Sequence, residues 1–252
     1  MIQTVDHGAV RELRLDRPPA NALSPELIVA LTRAVESAAP DGARALVLSG
    51  SRGRFSAGLD VPLLLTLDRP AIATLWRDLY ELLRALALSP IPIAAALTGH
   101  ATAGGTVLPI FCDFRVVAQG DWKLGVNEVQ VGLPLPPVIF AGLRRLLGAH
   151  QAERLAVGGL LISPDEAARI GLVDEVVPLD QVVSRAVDWS RGLLTLPVDA
   201  MAATRRRARA DLSELFSGSF DLELEQVAAT WWSAEAQTTL KVLVQRLARK
   251  KG

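Results

Sequence analysis

Residues 97–118 read LTGHATAGGTVLPIFCDFRVVA and contain the change of pattern that decides the fold. The run that leads into them, PIAAALTG at residues 92–99, is short, apolar and ended by a glycine, which is typical of a buried strand. Gly104 and Gly105 then open a helix, and FRVVA at residues 114–118 has the pattern of the next strand. A strand, a glycine-rich turn, a helix and a further strand predict a layered β/α core.

A second glycine segment, RGRFSAGLDV at residues 52–61, also follows a buried strand, the run ARALVLSG at residues 43–50. Its smallest residues, Ala57 and Gly58, leave the backbone N–H groups uncovered. Fixed N–H groups stabilise a developing negative oxygen without reorganising during a reaction. The segment is therefore either only a tight turn or a place where a ligand oxygen meets the backbone.

The rest of the chain alternates strands and helices up to about residue 180 and is helical beyond it. Residues 9–16 alternate apolar and polar side chains as a half-buried strand does, and residues 70–88 have helical periodicity. LVDEVV at residues 172–177 has the pattern of the last strand. The change of composition near residue 195 predicts a β/α core over residues 1–195 and a helical region over residues 196–252.

Two helix starts are marked by capping residues. Ser24 and Ser163 each precede a proline, which favours the first position of a helix. Glu166 completes a capping box with Ser163, since its carboxylate is expected to reach back to the cap.

Composition excludes several classes of partner. The 252 residues are 50% apolar and carry 27 basic and 27 acidic side chains, so no excess charge attracts nucleic acid. No run of 18 apolar residues predicts a membrane span, and the opening residues do not have the pattern of a signal peptide, so a cytoplasmic location is expected. The three histidines are scattered, which predicts no metal site, and Cys112 is expected to be a buried, inert thiol.

Five segments taken together resemble one family. They are the two glycine segments, LDRPPANALSPEL at residues 15–27, GVNEVQVGLPLP at residues 125–136 and GLLISPDEAARIGLVDEVVP at residues 159–178. This set, in order over roughly residues 10–180, is similar to the crotonase superfamily, the enoyl-CoA hydratase/isomerase family.

The resemblance implies a fold, a substrate and a site. The fold would be an α/β, crotonase-like spiral β/α core with a C-terminal helical trimerisation region, assembled as a homotrimer or hexamer. The substrate would be an acyl-CoA thioester, with no further cofactor, and two backbone N–H groups, at Leu59 and Gly104, would form the oxyanion hole for the thioester oxygen. Further substrate-binding positions implied by the motifs are Ala20, Ala22, Ala57, Asp60, Val61, Val107 and Leu133. Asp60 is expected to act structurally, as a helix cap or a loop tie.

The choice of reaction follows from one missing acid. Hydratases of the family use two glutamates, and the first would stand three residues after the oxyanion glycine, where this chain has Val107. The second corresponds to Glu128. One carboxylate can carry a proton from one carbon to another, as the Δ3,Δ2-enoyl-CoA isomerases of the family do, so the resemblance implies an isomerase with Glu128 as its catalytic base. The alternative for Glu128 is a salt-bridged loop residue.

Other functions stay open at this stage. Within the family, a hydratase or decarboxylase would need a displaced acid such as Asp60 or Asp113. A non-catalytic acyl-CoA binder would need no Glu128, and an RNA-binding relative would use the arginines of RRRAR at residues 205–209, although neutral net charge argues against it. His100 is expected to be neutral and packed, and one of the adjacent Trp231 and Trp232 is expected to pack on another subunit.

Overall fold

A computed structural model describes residues 1–249, and its larger sheet has six strands. Strands β1 and β2 pair antiparallel, and every further neighbour in the order β1-β2-β3-β5-β7-β9 pairs parallel. The six strands are β1 (Ile2–His7), β2 (Val10–Leu15), β3 (Ala45–Ser49), β5 (Ile93–Leu97), β7 (Phe114–Ala118) and β9 (Glu175–Val177). The sequence predicted all of them except β1.

A smaller parallel sheet is formed by the segments that follow three strands of the larger one. Its strands are β4 (Gly53–Ser56), β6 (Gly99–Thr102) and β8 (Leu124–Gly125), and each comes next in the chain after β3, β5 or β7. Strands β4 and β6 approach each other so closely at Gly99 that a side chain would not fit there. A Cβ on Gly99, whose φ is +155°, would lie 2.0 Å from the Gly53 carbonyl carbon. The two sheets are therefore built by repeated turns of one chain, in agreement with the predicted spiral core.

Seven α-helices lie within the first 194 residues. They are α1 (Pro25–Ala38), α2 (Val61–Leu64), α3 (Arg69–Leu88), α4 (Gly104–Ile110), α5 (Pro137–Gly158), α6 (Pro164–Arg169) and α7 (Val182–Leu194). Helix α7 packs on β3, β5 and β7, while α1 and α3 pack on each other within the main hydrophobic core. Among residues 1–249, no helix is both long and apolar enough to span a membrane.

The predicted caps are present, with one exception. Ser24 Oγ accepts from the Leu27 N–H, and Ser163 Oγ accepts from the Glu166 N–H. The Glu166 carboxylate does not reach back to Ser163; it accepts two hydrogen bonds from Arg169 on the same helix, at 2.7 and 2.8 Å. The prediction of a full capping box is therefore wrong, because a guanidinium offers this carboxylate a bidentate, charge-assisted partner.

Four helices lie between residues 195 and 249. They are α8 (Val198–Ala208), α9 (Ala210–Leu215), α10 (Asp221–Trp231) and α11 (Ala234–Arg249). Three of them, α9, α10 and α11, contribute side chains to the main core. Trp231 is fully buried, and the Arg69 guanidinium lies 5.0 Å from the centre of the Trp232 ring. Trp231 is thus covered within the chain, whereas Trp232 is half-buried, so the packing of one tryptophan on another subunit stays a prediction.

Two of the clustered arginines hold this helical region to the core. Arg205 binds both carboxylate oxygens of Asp113 at 2.8 Å, and Arg209 Nη1 lies 3.2 Å from the same carboxylate. Arg209 also donates to the backbone oxygens of Ala87 and Phe111. These contacts explain two of the four arginines of RRRAR by internal ion pairing, so those two do not support RNA binding.

Candidate active site

One cavity of about 750 Å³ collects the residues that the sequence placed in the site. It lies between the β4–α2 loop, the start of α4, the segment after β8 and the helices α10 and α11. All ten predicted positions line it: Ala20, Ala22, Ala57, Leu59, Asp60, Val61, Gly104, Val107, Leu133 and Glu128.

The first wall is the loop after β4, held in place by residues 20–23. The Ala57 N–H donates to Ala20 O at 3.0 Å, and the Leu23 N–H donates to Gly58 O at 2.8 Å. Gly58 has φ +81°, and a Cβ there would lie 2.9 Å from both the Ala103 Cβ and the Gly104 nitrogen. Glycine is therefore required at position 58 by its left-handed backbone and by the close approach of the next wall.

The second wall is the start of α4. Gly104 is its first residue, and the preceding Ala103 has φ +50° and ψ −123°, a conformation that alanine rarely adopts and that costs of the order of 1–3 kcal/mol. The ψ angle of Ala103 sets the plane of the following peptide and hence the direction of the Gly104 N–H. The strain thus fixes an amide at the edge of the cavity.

The two glycines at the start of α4, Gly104 and Gly105, lack side chains for different reasons. Absent side chains at Gly104 and Gly105 would let a substrate approach, but a Cβ on Gly105 would lie 2.1 Å from Ser56 O. Gly105 does not line the cavity, and its lack of a side chain lets α4 pack against β4. Of the pair, only Gly104 faces the cavity.

The two predicted oxyanion amides are neighbours and are unpaired. Gly58, the residue bonded to Leu59, is in contact with Gly104, which brings the Leu59 and Gly104 amides close together. Neither N–H donates a hydrogen bond to another atom of residues 1–249. Because buried backbone N–H groups are nearly always paired, two free ones beside a cavity indicate donors kept for a ligand.

Glu128 lines the same cavity and is the first residue of the short 3₁₀ helix Glu128–Val131. Burial raises the pKa of its carboxyl from 4.5 to about 7, opposed by a hydrogen bond from its own N–H, and no charged side chain contributes. Its Oε2 atom is buried and has no hydrogen-bond partner in the described part of the chain. The alternative of a salt-bridged loop residue is therefore wrong.

Two contacts hold the Glu128 helix in place. Gln130 Nε2 donates to Gly159 O at 2.8 Å, which ties it to the end of α5. A Cβ on Gly132, which ends the 3₁₀ helix with φ +77°, would lie 3.0 Å from the Ala236 Cα of α11. The position of Glu128 therefore depends on the packing of its 3₁₀ helix against both α5 and α11.

The other acids offered as alternatives are engaged elsewhere. Asp60 caps α2 through the Leu63 N–H at 3.3 Å, as expected, and its other oxygen lies 2.6 Å from Arg17 Nη2. Asp113 binds Arg205 of α8 and Arg209, the residue between α8 and α9, and does not line the cavity. Within residues 1–249, Asp60 and Glu128 are the only carboxylates that line the cavity, and no cluster of three metal-ligating side chains is found.

The sequence did not predict the apolar part of the cavity lining. Most of it comes from helices distant from Glu128 in the chain, namely Trp76, Leu79, Trp231, Leu243, Val244 and Leu247, and Val131 and Ile139 complete it. The only sequence signals were the Trp231–Trp232 pair and the amphipathic pattern of residues 234–249, and neither identifies a cavity wall. Together with the buried Val107, these side chains surround Glu128 with apolar surface.

Because the pKa of Glu128 is raised on folding, it lowers stability at neutral pH. The folded carboxyl keeps its proton up to about pH 7 while the unfolded one loses it near 4.5, so the unfolding free energy falls by about 3 kcal/mol between these values. Glu128→Gln removes this loss. In denaturant unfolding, the difference in unfolding free energy between variant and parent should rise by about 3 kcal/mol in favour of the variant from pH 4 to pH 8. An exposed control, Glu225→Gln, should show no such gain; equal gains in both variants would contradict the buried assignment.

Comparisons with known proteins agree on one family. Residues 6–248 match the sequence profile of the enoyl-CoA hydratase/isomerase family. The chain is 30% identical to human mitochondrial enoyl-CoA delta isomerase 1, over 98% of this chain and 83% of that protein. It is 36% identical to a probable enoyl-CoA hydratase of Mycobacterium avium, over 77% of this chain and 75% of that protein.

Solved structures give the same result. The chain superposes on the crystal structure of human mitochondrial Δ3-Δ2-enoyl-CoA isomerase with a TM-score of 0.94 at 29% identity, covering 100% of this chain and 99% of that one. An enoyl-CoA hydratase/isomerase from Mycobacterium paratuberculosis gives a TM-score of 0.87 at 28% identity, over 95% and 97% of the two chains.

Proposed function

The chain belongs to the enoyl-CoA hydratase/isomerase family, and we propose that it is an isomerase that moves the double bond of a 3-enoyl-CoA to position 2. The observation that carries the proposal is the single uncommitted carboxylate of the cavity. Glu128 has a buried, unpartnered oxygen, whereas Asp60, the other acid of the described lining, is bound to Arg17 and to the cap of α2.

The chemistry begins with binding of the thioester oxygen. The N–H groups of Leu59 and Gly104 donate to this oxygen, and the donation strengthens as negative charge develops on it. The ionised Glu128 carboxylate then takes a proton from C2, and the electrons of that C–H bond spread over C2, C3, C4 and the thioester oxygen as a dienolate. No water is consumed, and no electron leaves the substrate.

The second step returns the proton to a different carbon. The protonated Glu128 gives its proton to C4, the C2–C3 double bond forms, and the thioester carbonyl is restored. A carboxyl with a pKa of about 7 suits both halves of this transfer, since it is neither too weak a base to accept the proton nor too weak an acid to return it. Apolar walls at Val107 and Leu133 disfavour water beside the dienolate.

The main competing reaction is hydration of a 2-enoyl-CoA. A hydratase of the kind described above needs a second acid to activate water, and Val107 occupies the position where the family resemblance places it. Because some relatives are named as probable enoyl-CoA hydratases, the test must measure both isomerisation and hydration.

The purified protein is expected to convert a 3-enoyl-CoA to the conjugated 2-enoyl-CoA and to leave a 2-enoyl-CoA unhydrated. The conjugated thioester absorbs in the ultraviolet, so its appearance from the first substrate and its persistence in the second are both followed in one spectrophotometer. Disappearance of the 2-enoyl-CoA at a rate equal to or above that of isomerisation would assign the protein to the hydratases instead.

Assembly and location stay predictions. The homotrimer or hexamer implied by the family resemblance is supported by exposed apolar side chains such as Val157, Val198 and Leu222, which another copy of the chain would cover. The cytoplasmic location likewise stays a proposal.

A further inference from the structure

Most of the apolar lining of the cavity comes from four helices that are far apart in the chain. Its side chains are Trp76 and Leu79 of α3, Ile139 of α5, Trp231 of α10, and Leu243, Val244 and Leu247 of α11. The width of this lining therefore depends on contacts that join one helix to another.

One carboxylate joins three of these helices from outside the cavity. Glu223, near the start of α10, accepts a hydrogen bond on Oε1 from the hydroxyl of Tyr80 on α3. The same oxygen accepts a second hydrogen bond from the Val138 N–H of α5, at 3.1 Å. None of these three residues lines the cavity, so the link acts on the lining only through the helices that carry it.

Each partner of Glu223 needs an acceptor. Helix α5 begins after Pro136, which offers no side-chain cap, so the Val138 N–H is one of the helix-start donors without a partner in its own helix. A carboxylate at this place satisfies the donor and complements the positive end of the helix dipole. Tyr80 is buried, and burial, followed by the hydrogen bond and the charge of Glu223, raises the pKa of its hydroxyl, which therefore stays protonated and donating.

On α3 and α5, the link is next to residues of the apolar lining. Tyr80 directly follows Leu79, and Val138 directly precedes Ile139. Because consecutive residues of a helix move together, a displacement of either partner of Glu223 displaces a side chain of the lining.

On α10, the link is at the start of the helix and the lining residue is at its end. Trp231 stands eight residues after Glu223, about 12 Å along the helix axis. Trp231 O accepts a hydrogen bond from Gln237 Nε2 of α11 at 2.9 Å. Helix α10 is thus held at its start to α3 and α5 and at its end to α11.

The proton carrier is held at the other end of α5. The hydrogen bond from Gln130 Nε2 to Gly159 O, which ties the Glu128 helix to α5, lies at the end of that helix, whereas Val138 is at its start. Between the two, α5 is interrupted at Gly148, whose φ is +75°. A change at the link is therefore expected to reach the apolar lining and not Glu128.

We propose that Glu223 is a positioning residue that sets the width of the apolar lining, and through it the selectivity of the protein for long acyl chains. The inference rests on the proposed function, since it takes a 3-enoyl-CoA as the substrate. The acyl chain beyond C4 is apolar and takes no part in the reaction, so its burial against the lining contributes binding alone. Loosening the link weakens that binding and leaves the reacting groups in place.

The test compares 3-decenoyl-CoA with 3-butenoyl-CoA, whose chain ends at C4. Glu223→Leu removes the acceptor and is expected to lower kcat/KM for 3-decenoyl-CoA about tenfold and for 3-butenoyl-CoA less than about twofold. A buried methylene contributes about fourfold to binding, so the loss corresponds to about two methylenes. It should appear as a higher KM at nearly constant kcat, because ground state and transition state lose the same contacts.

Three further variants show whether the hydrogen-bond link is responsible. Glu223→Gln keeps an oxygen acceptor at the same place and should keep both kcat/KM values within about threefold of the parent. Glu225→Leu makes the matched change at an exposed position of the same helix and should change neither value more than about twofold. Tyr80→Phe removes one of the two donors and should lower kcat/KM for 3-decenoyl-CoA alone, by about threefold, whether or not Glu223→Leu folds.

The outcomes separate the role of Glu223 from its contribution to stability. Partial unfolding lowers kcat for both substrates by the same factor, so only the ratio of the two kcat/KM values reports on the lining. An unchanged ratio in both Glu223→Leu and Tyr80→Phe overturns the role of Glu223, while isomerase activity of the parent protein stands.

Failure of the parent protein to convert either 3-enoyl-CoA overturns the proposed function instead. The link is then decided by calorimetry with butanoyl-CoA, hexanoyl-CoA and decanoyl-CoA, which have no double bond to move. A loss of affinity in Glu223→Leu that grows with chain length supports the positioning role, and an equal loss for all three ligands overturns it.

Discussion

Glu128→Gln is expected to lower kcat for a 3-enoyl-CoA by about 10²–10⁴-fold, the usual contribution of a positioned acid–base group. Glutamine has the size and shape of glutamate but does not accept a proton from carbon, so the C2 proton has no acceptor. Its amide also avoids burying a charge, so the fold and the affinity for hexanoyl-CoA should be preserved. Steady-state kinetics at pH 8, where Glu128 of the parent protein is ionised, measure the full effect.

The matched control is Asp60→Asn, which changes the only other carboxylate of the described cavity lining. Asparagine remains a good helix cap, so the α2 start survives and only the ion pair with Arg17 is lost. A loss of less than about tenfold is expected. If Asp60→Asn removes as much activity as Glu128→Gln, or if Glu128→Gln keeps its rate, Glu128 is not the unique proton carrier.

The fold was predictable where local pattern and burial coincide. The strands β3, β5 and β7 are fully buried apolar runs, and α1 begins at a serine cap followed by proline, so each has a signal of its own in the sequence. The small sheet was not predicted, because β4, β6 and β8 have only two to four residues and pair with segments far away in the chain. Strands this short contain too few residues for an alternating pattern to appear.

The site residues that stand in short sequence motifs were predictable. Those that are brought to the cavity by packing of distant segments were not. Leu59, Gly104 and Glu128 stand in short motifs whose residue types reflect backbone geometry or chemistry, so the family resemblance placed them in one cavity. The apolar wall from Trp231 and α11 had no such motif, since an apolar helix face is the same whether it meets a core or a ligand. Gly105 is the opposite case: it stands beside Gly104 in the same motif, yet it lacks a side chain because of its packing against Ser56.

The role of the Leu59 N–H as an oxyanion donor is tested by a change that removes this N–H and keeps the leucine side chain. Replacing Leu59 by its α-hydroxy acid converts the Gly58–Leu59 amide to an ester, so the N–H donor is lost while the leucine side chain stays. Loss of one oxyanion donor typically costs about 10²–10³ in kcat, and that loss is expected here. Single-turnover rates with a 3-enoyl-CoA measure it directly, because binding and product release do not enter.

The control for this change is the same ester at Leu67, whose N–H donates to Leu64 O at 3.2 Å and whose loss removes only a backbone hydrogen bond. Both esters should lower the unfolding free energy by about 1 kcal/mol, since the Leu59 ester also weakens Gly58 O as the acceptor for the Leu23 N–H. Only the Leu59 ester should slow the chemical step. Equal rates in the two folded proteins would mean that the Leu59 amide does not hold the thioester oxygen, and the negative charge of the dienolate would then need a donor other than this pair.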